Sequence, residues 1–377
     1  MPLYLSEDQT MLRDTAKPFI AEAAPVTHLR KLRDGNDATG FSRDLWKQFA
    51  EMGFTGVMVP EAQGGLGLGH VEAGIILEEI GRNLTPSPFL TTAVAAVEAL
   101  KASGQLSGEW LPKIAGGEAV IALAVDEGQK HHPHSTAMRA ERSGNGFRLT
   151  GTKTFVINGH VADLLIVAAR TAGAAGEEDG LTLFAVPRES TGLTADPRRL
   201  VDSSLASKVT FEGVEVDADA VIGEVDGGWA VLKKLLDAGR AGAAAELLGV
   251  GAGAMDMTVD YLKQRKQFGK LIGEFQALQH RAAHLYGELE VARATVLKAQ
   301  QLLDANDERA ESMVAVAKAK TGRAVALAVQ EGVQMHGGIG MTDEYDIGLY
   351  MKRDRALEEF FGDHRYHAER LARMNGY

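Results

Sequence analysis

The spacing of apolar positions changes period twice along this chain. From Ser6 they recur at helical intervals, Leu12, Ala16, Phe19 and Ile20 following an acidic first turn at Glu7 and Asp8. The stretch Phe41-Ser42-Arg43-Asp44-Leu45-Trp46-Lys47-Gln48-Phe49-Ala50-Glu51-Met52-Gly53 repeats that pattern and ends on a glycine suited to a helix C-cap. A loop carrying Pro60, Gly64, Gly65, Gly67 and Gly69 follows, and the pattern predicts another helix over 71–80. At Ala119 the texture becomes short, apolar and β-branched. Strands are predicted at 120–125, 163–168, 181–186, 208–211 and 214–216, with turns at Ser143-Gly144-Asn145-Gly146 and Glu178-Asp179-Gly180. No helix long enough for a parallel crossover separates them. After Gly227-Gly228-Trp229 the helical period returns and runs to Tyr377. The order is helical, β, helical. It predicts domains at 1–118, 119–224 and 225–377.

Composition narrows the classes. With 377 residues, 45% hydrophobic and 24% charged, the chain can bury large cores. Its 40 Lys+Arg against 51 Asp+Glu give a net charge of −11, which argues against nucleic-acid and membrane-surface partners, since both reward a basic face. The absence of cysteine excludes disulfides, iron–sulfur ligation, thiol nucleophiles and thiolate zinc sites. The opening Met1-Pro2-Leu3-Tyr4-Leu5-Ser6-Glu7-Asp8 lacks the basic and apolar regions of a signal peptide. No apolar run approaches the ~20 residues of a membrane span, and the longest candidate, 241–255, is interrupted by Glu246. A cytoplasmic enzyme is the expectation.

Three features are weighed for chemistry. Gly249-Val250-Gly251-Ala252-Gly253-Ala254 suggests a dinucleotide fingerprint, but that motif follows a strand, whereas 241–248 reads as helix. Close helix packing is the better reading. No histidine has Asp or Glu three positions before it, so the paired Glu-x-x-His of di-iron bundles is missing, and no metal is expected. His131-His132-Pro133-His134 reads as a solvated polar loop, and Asp363, His364 and His367 as a polar helix face. The third feature pairs Asp260–Ile272, containing Arg265-Lys266-Gln267-Phe268-Gly269-Lys270, with Gln334-Met335-His336-Gly337-Gly338-Ile339-Gly340. An arginine with exposed glycine amides suits a pyrophosphate.

These segments carry a resemblance. Ser6-Glu7-Asp8-Gln9, the stretch from Met52-Gly53-Phe54 to Gly64-Gly65, Leu77-Glu78-Glu79-Ile80-Gly81, Gly151-Thr152-Lys153 to Asn158-Gly159, Arg265–Lys270 and Gln334–Gly340 occur in the order of the acyl-CoA dehydrogenase flavoproteins. The likeness runs nearly end to end. It implies an N-terminal helical domain, a middle β-barrel or sandwich domain and a C-terminal four-helix bundle. It implies FAD held by Arg265, Gln267, Phe268, Gln276, Gln334, Gly337 and Gly338, with the cofactor spanning a subunit interface. Asp237 and Arg240 match the family's contacts to coenzyme A. The implied activity is α,β-dehydrogenation of an acyl-CoA thioester, with electrons passed to an electron-transferring flavoprotein and the chain in a dimer or tetramer. The flavin supplies the two-electron acceptor that side chains lack.

Two departures follow from the same comparison. The family's Thr-Glu-Pro-x-x-Gly-Ser-Asp segment stands here as Asp126-Glu127-Gly128-Gln129-Lys130-His131-His132-Pro133, where only Glu127 survives. The usual catalytic glutamate, nine residues after the Arg353-Asp354 pair, is replaced by Gly362, and the alternative base position is Gly239. Three readings remain open. Asp363, one residue late, is the base; or a related subunit of a heteromer supplies it; or the fold serves a flavin monooxygenase or oxidase that needs no such base.

Overall fold

The computed structural model describes residues 3–377. In chain order the helices α1 (Glu7–Ala23), α2 (Val26–Asp34), α3 (Arg43–Glu51), α4 (His70–Arg82), α5 (Val97–Leu100) and α6 (Gly104–Ala115) come first. A π-helical segment, Leu90–Ala96, leads into α5. Strands β1 (Ile121–Ala124), β2 (Arg139–Ser143), β3 (Gly146–Ile157), β4 (Leu164–Arg170), β5 (Leu181–Pro187), β6 (Leu193–Arg199), β7 (Leu205–Val216) and β8 (Val221–Ile222) follow. The chain then forms α7 (Gly228–Gln264), the hairpin β9 (Lys266–Gln267) and β10 (Lys270–Leu271), α8 (Gln276–Asp304), α9 (Ala310–His336), α10 (Ile347–Glu359) and α11 (His364–Met374). The helical–β–helical order expected from periodicity is present. Contacts divide the chain into two compact units, one of 3–31, 70–85 and 240–377, the other of 32–69 and 86–239.

In the second unit the strands form one eight-stranded sheet, ordered β6-β7-β3-β2-β4-β5-β8, with β1 beside β4. Pairing is antiparallel except for β1–β4 and β2–β4. β4 is buried at every position, as expected of a strand covered on both faces. The core joins Phe147, Leu149, Val167, Phe184, Val209 and Phe211. The helical segments of this unit pack Phe49 edge-on against Phe54 and Phe89. Thr92 ties them to β1, its hydroxyl accepting from the Ile121 amide at 2.9 Å. Four strands of the sheet escape the periodicity, β2, β3, β6 and β8; β2 has a single buried residue and β6 carries the polar run Asp196-Pro197-Arg198-Arg199. β6 is an edge strand, where polar residues and proline are tolerated.

In the first unit, Ser6 caps α1 in a capping box with Gln9. The glycine-rich part of α7 is helix, and its small residues let α4 approach closely. A Cβ on Gly249 would lie 1.9 Å from the Glu78 carbonyl oxygen, and one on Gly81 would lie 2.0 Å from that of Glu246. Ala243, Ala244, Leu247 and Val250 are buried beside them, as are Ala315, Ala324 and Ala328 of α9. These stripes of small residues therefore close the chain's own core. Among the described residues no helix is long and apolar enough to cross a membrane.

Candidate active site

The segments expected to hold the cofactor lie at helix ends of the first unit. α7 ends at Gln264, and Arg265 begins an exposed hairpin whose turn residues, Phe268 (φ 54°) and Gly269 (φ 80°), both take the left-handed conformation of a two-residue turn. Phe268 is 92% exposed and meets Phe275 edge-on. Gln276 opens α8, exposed. At the far end of α9, Gln334 is exposed and Gly337 (φ 63°) stops the helix. Cβ atoms on Gly337 and Gly338 would meet nothing within 4 Å. The two segments hang from one aromatic stack. Tyr261, one turn before Arg265, stacks on His336 at 4.4 Å, and Tyr345 lies 4.9 Å from the same imidazole. His336 is buried, its Nδ1 beside the Gly332 carbonyl at 2.7 Å, and burial lowers its pKa. A guanidinium, three exposed amide side chains and open glycine backbone form a donor set that fits a dinucleotide's phosphates and ribose.

The position where the resemblance expects a base, Gly362, is walled in. Phe361 (φ 61°) and Gly362 (φ 99°) form a left-handed turn between α10 and α11. Its carbonyls are taken. Lys318 of α9, fully buried, donates to the Glu358 and Gly362 carbonyls at 2.8 and 2.9 Å, and His367 Nε2 lies 3.0 Å from the Phe361 oxygen. A Cβ on Gly362 would stand 2.4 Å from Tyr366 Cδ1, so the tyrosine ring occupies the start of any side chain there. Arg240 Nη2 donates to the Tyr366 hydroxyl at 3.3 Å, its guanidinium 5.8 Å from the ring centre. Asp363 is the N-cap of α11, its Oδ1 accepting from the Tyr366 amide at 2.8 Å. The carboxylate considered as base is thus turned to the helix end.

The polar face expected of Asp363, His364 and His367 is corrected. His367 is completely buried, and desolvation, with Arg240 nearby, pushes its pKa well down. His364 Nδ1 meets the buried Glu358 at 2.6 Å. Burial, reinforced by Glu358 and opposed by Lys318, pushes Asp354 up to about 7. Burial brings Lys318 down to about 8 despite Glu358. Arg353 pairs with buried Glu246, whose carboxylate therefore serves the core.

In the second unit the surviving Glu127 has a structural task. Its carboxylate accepts from the Ala137 and Met138 amides at 2.9 and 3.0 Å and from the fully buried Lys153 ammonium at 2.7 Å. The loop after β1 is not simply solvated either: buried His131 contacts Asp126 at 2.8 Å, and His134 lies 4.1 Å from Trp229. Thr154 binds the same loop through the Asp126 and Gly128 carbonyls, and the next residue, Phe155, sits at a bulge of β3 with φ 52° and 50% exposure. An exposed aromatic in a strained conformation beside this loop is a candidate that sequence reading missed; positive φ leaves no mark in an alternating pattern. Asp237 and Arg240, both buried, are one turn apart on α7.

Comparison with known proteins matches three domains in order: the acyl-CoA dehydrogenase N-terminal domain over residues 6–118, the middle domain over 125–214 and the C-terminal domain over 226–375. The chain belongs to the acyl-CoA dehydrogenase family, and with membership come FAD and oxidoreductase chemistry on acyl-CoA thioesters. Acyl-CoA dehydrogenase FadE12 of Mycobacterium tuberculosis is 30% identical over 359 residues, covering 93% of this chain and 91% of that one. Subunit CarC of the caffeyl-CoA reductase–Etf complex of Acetobacterium woodii is 28% identical over 353 residues, 92% of each. Among solved structures, the ChsE4–ChsE5 complex of Mycobacterium tuberculosis superimposes with a TM-score of 0.88 at 26% identity, over 99% of this chain and 98% of that one.

Proposed function

We propose that this chain binds FAD through Arg265, Gln267, Phe268, Gln276, Gln334, Gly337 and Gly338 and exchanges two electrons with the Cα–Cβ bond of an acyl-CoA thioester. The observation that carries the reading is the Tyr261–His336 stack, which holds both nucleotide-binding segments at the ends of their helices. FAD, when bound, accepts the hydride from Cβ. The chain's own groups bind and orient. Arg265 pairs with phosphate oxygens, the backbone at Gly337 and Gly338 admits the nucleotide, and Asp237 and Arg240 meet the coenzyme A arm. An electron-transferring flavoprotein takes the electrons onward; the caffeyl-CoA reductase–Etf subunit supports that partner. Domains at 1–118, 119–224 and 225–377 divide these tasks, in a cytoplasmic dimer or tetramer. The test is flavin retention. Purified protein should be yellow, and Arg265→Ala should stay folded while losing most of its FAD; full occupancy in that variant would refute the assignment.

A second reading is favoured by one observation. Position 362 has neither a carboxylate nor room for one, and a related solved structure is a complex of two different chains. A heteromer in which a related subunit supplies the base accounts for both. Activity appearing only on co-purification with such a subunit would establish it.

A further inference from the structure

We infer that Tyr366 is the proton-transfer group of the acyl site, in place of the missing carboxylate; the inference rests on the acyl-CoA oxidoreductase reading above. Four observations meet at this side chain. Its ring begins where a position-362 side chain would begin, 2.4 Å from the ideal Cβ of Gly362. Its hydroxyl is reached by Arg240, the residue immediately after Gly239, so the tyrosine spans from one of the family's two base positions to the neighbour of the other. It is half-buried, unlike the fully enclosed His367 beside it. Finally, the carboxylate next in sequence, Asp363, caps the helix by accepting from the Tyr366 amide, and Glu358 is taken up by the backbone amide and imidazole of His364, so neither is free to serve as the base.

The chemistry balances with the flavin as redox partner. In dehydrogenation Tyr366 would enter as the phenolate; the Cα–H bond breaks and its proton passes to that oxygen, which becomes the phenol. The Cβ hydrogen leaves with its electron pair to oxidised FAD, and a Cα=Cβ double bond forms. In the reverse direction the hydride would come back to Cβ from the reduced flavin, and the Tyr366 hydroxyl would give its proton to Cα, becoming the phenolate. In either direction the Arg240 guanidinium lies at hydrogen-bonding distance from the oxygen that carries the negative charge, where a cation offsets it.

The experiment follows the α-position directly. Wild-type holoprotein and Tyr366→Phe are incubated in D₂O with a 3-thia-acyl-CoA, whose Cα–H is acidic and which is not desaturated, and deuterium uptake is read by mass spectrometry. Flavin content is measured on the same samples. Phe keeps the ring over Arg240 and removes only the hydroxyl. The expected result is unchanged flavin content with exchange slowed ~10²–10⁴-fold. Asp363→Asn, which retains an N-cap, should exchange like wild type. Exchange at the wild-type rate in Tyr366→Phe overturns the inference, as does loss confined to Asp363→Asn. Wild-type protein that carries FAD but exchanges only with a second subunit added also overturns it, while leaving the cofactor reading intact. Wild-type protein without FAD refutes the underlying function instead, and this inference with it.

Discussion

Lys318 reaches from the first third of α9 to the carbonyl of Gly362, 2.9 Å away, from a position with no solvent exposure. A second bond to the Glu358 carbonyl makes this ammonium the internal fastener of the turn between α10 and α11. Lys318→Met keeps the stem and removes both donors, leaving two carbonyls orphaned. The expected cost is about 2–4 kcal/mol, read from urea midpoints. An unchanged midpoint would show that water replaces the lysine.

Asp354 and Lys318 set opposite pH slopes. Asp354 holds its proton to about pH 7 when folded against an ordinary 3.8, so between those values the folded state binds more protons. Stability should therefore fall as pH rises from 4 to 7. Lys318 titrates near 8 when folded against 10.5, so there the unfolded chain binds more protons and stability should rise toward pH 10. Chemical denaturation across pH should show the first slope reduced in Asp354→Asn. An identical profile in that variant would remove Asp354 as its source.

Restoring the family's glutamate should fail. Gly362→Glu places a side chain on a backbone at φ 99° and into the Tyr366 ring. Backbone strain alone costs about 1–3 kcal/mol, so melting should drop. The double variant Gly362→Glu with Tyr366→Ala should recover part of the loss, because the ring clash is gone and only the strain persists. Equal stability of single and double variants would show that Tyr366 yields freely.

Glu127 is expected to matter for folding more than for flavin chemistry. Removing it as Glu127→Ala strands the buried Lys153 ammonium and two backbone amides, a loss of about 3–5 kcal/mol. Thermal melts of the purified variant check this, with wild-type stability as the contrary outcome.

The close approach of α4 and α7 gives another test. Gly249→Ala gains about 1 kcal/mol of helix propensity, yet its Cβ would overlap the Glu78 carbonyl. The clash should win, and Gly249→Ala should unfold at lower urea than wild type.

The helical–β–helical order was legible because period-3.6 and period-2 patterns are local. The same holds for the helical character of 241–254, since Gly249 packs on the Glu78 carbonyl and Gly81 on that of Glu246, a close approach that needs the small residues the sequence displays. β6 was not legible, because its exposed polar residues carry no apolar alternation. The segments proposed to hold the cofactor were named from motif order, but their joining through Tyr261 and His336, 75 residues apart in number, could not be read from it. Tyr366 was invisible for the same reason. Its meaning comes from Arg240, 126 positions away, and from the space above Gly362. The polarity of His367 misled because pattern reading places histidine at surfaces, while here one ring nitrogen is matched to a turn carbonyl and the side chain is buried.

The central claim, that this chain is a flavin-dependent oxidoreductase of acyl-CoA thioesters, is tested most directly by anaerobic titration of the purified, FAD-loaded protein. A panel of saturated acyl-CoAs is added to the oxidised flavin, and a panel of 2-enoyl-CoAs to the dithionite-reduced flavin. The account predicts that at least one thioester bleaches the oxidised flavin or reoxidises the reduced one, and that the corresponding free acid does neither. A flavin that responds to no thioester in either direction, alone or with a related subunit, would contradict it.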